Sequence, residues 1–204
     1  MERNTVDSKQ ISMIKKLLYL GLLPAVITLS ATALRAHDDD HLATPGANAW
    51  NQSQEPTNWW NQIKQEHGHV GPWNVLGWRV GKAALRELNA TWGRHELDIV
   101  TYVPIRTPFS CLADGLVVGT GNSIGRLDIR LAEVQTWADV HVSIRRKDGT
   151  GPVLLFKPDP NYLQQIQSQP EAGLEALARE SGDIAESKLF TVTKLPQAAA
   201  PKEH

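Results

Sequence analysis

His67-Gly68-His69-Val70-Gly71-Pro72-Trp73-Asn74-Val75-Leu76-Gly77-Trp78-Arg79-Val80-Gly81 is the stretch on which the reading of this chain turns. Residues 67–71 read as a glycine-punctuated loop, and Pro72 fits the first position of a helix, where a backbone N–H has no partner to lose. From Pro72 to Leu88 the apolar residues Leu76, Val80, Ala84 and Leu88 recur every four positions, so one buried stripe runs down a helix. Gly77 and Gly81 lie one turn apart on it. Each costs about 1 kcal/mol against alanine in a helix, so their use is the close approach of another backbone.

Before this helix, Trp59, Trp60 and Ile63 suggest a first short helix packed onto the domain. Residues 37–58 read as a disordered arm. His37-Asp38-Asp39-Asp40-His41 is highly charged, and Thr44 to Thr57 is rich in Pro, Gly, Asn, Gln and Ser, leaving little apolar surface to offset ordering entropy. Residues 1–36 read as a signal peptide. Lys15 and Lys16 precede an apolar run from Leu17 to Leu34, and Ala31-Thr32-Ala33 supplies small residues for a cut after 33, or after 36. The alternative is an uncleaved membrane anchor; Pro24 and the small-residue exit favour cleavage. A cleaved leader implies a periplasmic or secreted chain with no stable membrane span. Met13 is an alternative start.

After the stripe helix the pattern changes period. Glu96 to Pro104 reads as a strand, and Cys111 to Val118 suits a short helix or a buried strand equally. Arg126 to Leu131 alternates apolar Leu127, Ile129 and Leu131 with charged Arg126, Asp128 and Arg130, as a half-buried strand does. Ala138 to Arg145 alternates again and places His141 on the polar side. Lys147-Asp148-Gly149 is a turn signal, and Val153 to Phe156 returns as an antiparallel strand. Asn161 to Gln169, Glu171 to Glu180 and Ile184 to Leu195 read as helical, followed by a disordered tail at 196–204. Helices before and after an antiparallel sheet make one α+β domain over 59–195.

The balance of 21 basic and 22 acidic residues leaves no basic face for nucleic acid. The single cysteine, Cys111, cannot form an internal disulfide; it is a buried hydrophobe, a metal ligand or a reactive thiol. His67 and His69, two apart in an extended or loop segment, can turn both imidazoles toward one ion. They stand before a helix N-terminus, where an anion is favoured. Two histidines and a thiolate are an ordinary zinc set, and a fourth position left to water is the catalytic arrangement. The plain alternative is a polar surface loop. Asp114, three residues after Cys111, is a candidate base or a supporting acceptor, or else a surface carboxylate. Among the seven tryptophans, Trp73 and Trp78 flank this region and could line its pocket, although core packing is the simpler role. His95 has no partner nearby in sequence. Residues 119–125 are glycine-rich, but their spacing is wrong for a phosphate loop.

Taken together, His67-Gly68-His69-Val70-Gly71-Pro72, the Leu76-Gly77-Trp78-Arg79 helix, Cys111-Leu112-Ala113-Asp114-Gly115 and Thr120-Gly121-Asn122 resemble two ordered motif blocks of the formylmethanofuran dehydrogenase FmdE-like family. The likeness runs from about Trp60 to Pro158. It implies an α+β core, often a homodimer, with a metal-binding cleft. His67, His69 and Cys111 would be the metal ligands and Asp114 their neighbour. Gly71 and Asn122 stand where cysteines are common in the family, and Asn122 would then face the ion as a hydrogen-bonding group, or serve only as a turn residue. No Cys-x-x-Cys pair follows, so the zinc-finger extension of some members is absent. One thiol cannot hold an iron–sulfur cluster. The expectation is an exported protein binding zinc or a similar divalent transition metal, with a small-molecule ligand. The alternatives are a metal-dependent hydrolase or C1-type transferase, and a metal-free binding module.

Overall fold

The computed structural model describes residues 53–197. The expected signal peptide, the arm up to residue 52 and residues 198–204 of the tail lie outside them. Helix α1 (Trp59–His67) starts at Asn58, whose Oδ1 accepts the Asn61 N–H at 3.0 Å. Helix α2 (Pro72–Glu87) begins with the proline expected there, and its stripe of Leu76, Val80, Ala84 and Leu88 is buried. Strand β1 (Leu97–Val103) follows, then α3 (Cys111–Thr120), β2 (Ile129–Glu133), a 3-10 turn (Trp137–Asp139), β3 (His141–Arg146) and β4 (Val153–Pro158). Helices α4 (Pro160–Ser168) and α5 (Glu171–Asp183), a second 3-10 turn (Glu186–Lys188) and β5 (Phe190–Leu195) complete the domain. Among the described residues no helix is long and apolar enough to cross a membrane.

The architecture is α+β. The strands lie in the order β2-β1-β3-β4-β5. The sheet is mixed rather than wholly antiparallel: β1 and β2 run parallel, with Ile99 opposite Ile129, while the other neighbours are antiparallel. The intervening α3 causes this, because a parallel pair needs a long crossover and a helix supplies one. Cys111 to Val118 is therefore a helix. The expected last helix over Ile184 to Leu195 is also corrected. Its second half is β5, an edge strand whose β-branched Thr191, Val192 and Thr193 suit a pleated surface better than a helix.

The core lies between α2–α3 and one face of the sheet. Leu97, Ile99, Val142, Ile144, Leu154 and Phe156 point inward by strand alternation and meet Leu76, Val80, Leu112 and Leu116. On the opposite face Asp98 is paired with Arg130 at 2.7 Å and Arg145 at 2.9 Å, and Tyr102 stacks on His141 with ring centroids 4.1 Å apart. Helices α2 and α3 touch through their backbones. A Cβ on Gly77 would lie 2.1 Å from the Leu112 carbonyl oxygen, and one on Gly115 would lie 1.9 Å from that of Asn74. The close approach anticipated from Gly77 and Gly81 thus has a partner surface of its own kind, Gly115 and Gly119 on α3. At the far side of α2, Arg79 donates to the carbonyls of Gly182 and Ile184, satisfying orphan acceptors at the end of α5.

Candidate functional site

The site is built where the two helix beginnings meet. His67 is the last residue of α1, not part of a loop, and Gly68 caps the helix in the left-handed region (φ 89°), its N–H donating to the Lys64 carbonyl at 2.9 Å. That conformation suits a residue without a side chain. It folds the chain back sharply, so the His67 and His69 rings come to 4.6 Å between centroids. The extended i, i+2 geometry expected from the sequence is not used; a left-handed glycine reaches the same end.

On α3, Cys111 and Asp114 are three residues apart and so share a face. The backbone contact between α2 and α3 sets that face beside the histidines. Asp114 Oδ2 lies 2.7 Å from His67 Nδ1. The ring nitrogen donates this bond, which leaves the Nε2 lone pair available. Asn74 ties the two segments together: its Oδ1 accepts the Gly71 N–H and its Nδ2 donates to the Cys111 carbonyl, both at 3.0 Å. Cys111 is buried. Burial and the neighbouring Asp114 charge push its thiol above the ordinary range, which favours the protonated form in the free protein.

His69, Cys111 and Trp73 line one cavity of about 410 Å³. Trp78 does not line it. On an α-helix five residues turn the direction by about 140°, and Trp78 instead stacks on Trp59 at 4.0 Å in a small cluster with Ile63 and Val118. Asn122 is also elsewhere. It follows the far end of α3, about 15 Å from Cys111 by helical rise. There it is buried, donating from Nδ2 to the Leu97 carbonyl at 2.9 Å, and it borders a separate groove with Trp92. Asn122 is therefore a structural residue of the α3–β1 junction.

The donor set can be tested against a metal on this geometry. A carboxylate–imidazole pair that fixes the tautomer, with a second imidazole beside it, is the arrangement that supports a metal-bound histidine. Among the described residues, however, no three His, Cys, Asp or Glu side chains are grouped closely enough to hold an ion by themselves. Position 71 bears on this. A Cβ there would stand 3.8 Å from His69 Nε2 with no clash, so a side chain at this position would begin beside His69. His69 and Cys111 line one cavity and the His67 ring lies beside that of His69, so these three are the candidate donors.

The FmdE family model, described as "Molybdenum formylmethanofuran dehydrogenase operon", matches residues 66–193. The chain belongs to the FmdE family. That match spans His67 through most of β5 and so includes both helix beginnings and the sheet up to residue 193. No curated protein matches the chain.

Sequence reasoning misses three groups in this FmdE core. Asn74 reads as an ordinary helix residue, although its place two residues after Pro72, facing back onto Gly71, is a capping position. Arg106 lies on the wall of the cavity with His69. His95 does have a partner: its Nδ1 is 2.6 Å from Asp128 Oδ2, and Lys147 bonds Asp128 Oδ1. Alternation along 126–131 predicts that Asp128 points outward. The structure puts Leu127 in the left-handed region (φ 58°) with its side chain 73% exposed, and this resets the phase so that Asp128 turns inward.

Proposed function

We propose that this FmdE-family chain is an exported metal-binding protein that takes zinc or a similar divalent transition metal through His67 and His69, with Cys111 as the sulfur donor. The observation that carries this reading is the 2.7 Å bond between His67 Nδ1 and Asp114 Oδ2 with the His69 ring alongside. Asp114 then serves to orient His67 and fix its tautomer rather than as the base. Two imidazoles and one thiolate leave a position for water or a ligand, and a bound divalent ion would supply Lewis acidity at the cavity wall. The chain's own part is to hold the ring tautomer through Asp114, to fix the Cys111 backbone through Asn74, and to exclude water with Trp73.

Metal titration of tag-free protein after chelator treatment tests this. Stoichiometric binding is expected in the parent. His69→Ala should lose it, and Asp114→Asn should weaken it by about 10–100-fold, the usual effect of removing a carboxylate behind a ligating histidine. Gly71→Cys should strengthen it, because the added Cβ meets His69 Nε2 and Asn74 Oδ1 at ordinary contact distances of 3.8 and 3.6 Å and brings a second thiol beside His69. Substoichiometric binding by the reconstituted parent, or unchanged affinity in His69→Ala, would sink the reading.

A further inference from the structure

The cavity beside His69 and Cys111 is more than a wall for an ion. It is assembled from five stretches of chain: residues 69–74 at the start of α2, residues 106–111 leading into α3, the 3-10 turn at Trp137, the end of α4, and Leu174 on α5. Its volume of about 410 Å³ falls within the range of small-molecule sites. The lining is apolar and aromatic, with Trp73, Phe109, Trp137 and Ile166 as its main surfaces. Trp73 and Phe109 are buried and meet edge to face at 5.3 Å, which makes a firm floor. Trp137 is different. It is 36% exposed although it borders a concavity, so folding alone leaves part of a large aromatic face uncovered.

The lining contains no aspartate, glutamate or lysine, and Arg106 is its one permanently charged side chain. Among the described residues Arg106 forms no ion pair; its guanidinium instead lies over the Phe109 ring at 5.2 Å. The neighbouring cavity on the other side of His69 offers a contrast. There Arg179 already pairs with Glu175 at 2.7 Å and covers Trp60 at 4.1 Å, beside a second carboxylate, Glu171. A charge satisfied by its own protein has no need of a ligand, whereas Arg106 presents a planar fork of donors at the edge of an aromatic slot. That fork matches a carboxylate in two parallel hydrogen bonds. One cation balances one negative charge, which favours a monoanion over a phosphate dianion.

We propose that this cavity binds a small ring-bearing carboxylate, its ring lying against the Trp137–Phe109 wall and its carboxylate held by Arg106. The proposal shares its cavity with the metal reading above but uses neither imidazole as a ligand, so the two can fail separately. Arg106 and Trp137 are exposed and outside the core, so substitutions there leave the fold intact.

Calorimetric titration of chelator-treated, full-length protein with indole-3-carboxylate, 2-naphthoate and phenyl phosphate, and with the uncharged amides of the two carboxylates, provides the test. Binding of at least one carboxylate is expected, with its amide at least about tenfold weaker, as the loss of a charged hydrogen-bond pair implies. Arg106→Gln should bring the carboxylate down to the level of its amide and leave the amide unchanged. Trp137→Ala should weaken both. The proposal is overturned if no carboxylate binds with or without added zinc, if amide and carboxylate bind alike, if phenyl phosphate binds tightest, or if Arg106→Gln changes nothing. Carboxylate binding without metal binding would remove only the metal reading. Metal binding without any carboxylate would remove only this one.

Discussion

Gly115→Ala is expected to unfold the domain at a temperature lower by about 10 °C, the largest effect of a single added methyl among the described glycines. The added Cβ would sit 1.9 Å from the Asn74 carbonyl oxygen and 2.8 Å from the Trp78 nitrogen, all of it main chain in α2. A flexible side chain could swing away; two helix backbones cannot without moving apart. Overpacking of this kind costs typically about 1–3 kcal/mol, and a clash with rigid main chain belongs at or above the upper end. Separation of α2 from α3 would also stretch the Asn74–Cys111 and His67–Asp114 bonds, so metal affinity should fall with stability. Gly125→Ala is the matched control. Nothing lies within 4 Å of the methyl it would add, and its midpoint should stay with the parent's. Thermal unfolding followed by circular dichroism decides the matter, and coincident midpoints for Gly115→Ala and Gly125→Ala would refute the backbone-contact account.

Asp128→Ala should cost about 3 kcal/mol at neutral pH, because it strips a buried carboxylate from His95 and Lys147 and leaves their donors without an acceptor. Burial alone would raise the Asp128 pKa, but hydrogen bonds from His95 and Lys147 outweigh it and hold the carboxyl below its ordinary 3.8. A carboxyl depressed in the folded state contributes its full stability above the unfolded value and loses it as pH falls through the folded one. The parent's advantage over Asp128→Ala should therefore close as pH falls below about 4. Urea midpoints for both proteins down to about pH 2.5 would show it. Asp98 is held low as well, by Arg130 and Arg145 against its burial, but it is present in both proteins and cancels in the difference. A gap that persists unchanged at the acid end would assign the loss to packing rather than charge.

The parts of the fold legible from the chain alone are those specified by local spacing. The stripe from Leu76 to Leu88 needs only its own helix to be recognised, and it is buried as expected. Gly77 and Gly81 announce a close neighbour without naming it, because spacing records how small a residue must be and not what approaches it. The parallel β1–β2 pairing leaves no mark on either strand, since alternation is the same in both directions. One backbone angle at Leu127 is enough to reverse the side to which Asp128 points. At the site, the two histidines are visible from their spacing, while Cys111 and Asp114 become legible only through the paired motifs. Trp78 goes astray because closeness in sequence to a site residue says nothing until the turn of the helix is counted. Asn122 does so because its motif position implies a place at the ion, while the length of α3 carries it away from Cys111. Arg106 carries no signal, because an unpaired surface arginine looks like any other until its surroundings are known.

The glycine contact between α2 and α3 has a mechanical consequence. Where two helices meet main chain to main chain, there are no rotamers in the joint to rearrange, so the pair carries Asn74, Cys111 and Asp114 as one stiff plate. Arg106 and Trp137 hang on different hardware, an irregular loop and a single turn, where fewer backbone ladders resist displacement. Any breathing needed to admit or release a molecule is thereby confined to the rim. Displacement of that rim would leave Asn74, Cys111 and Asp114 in register.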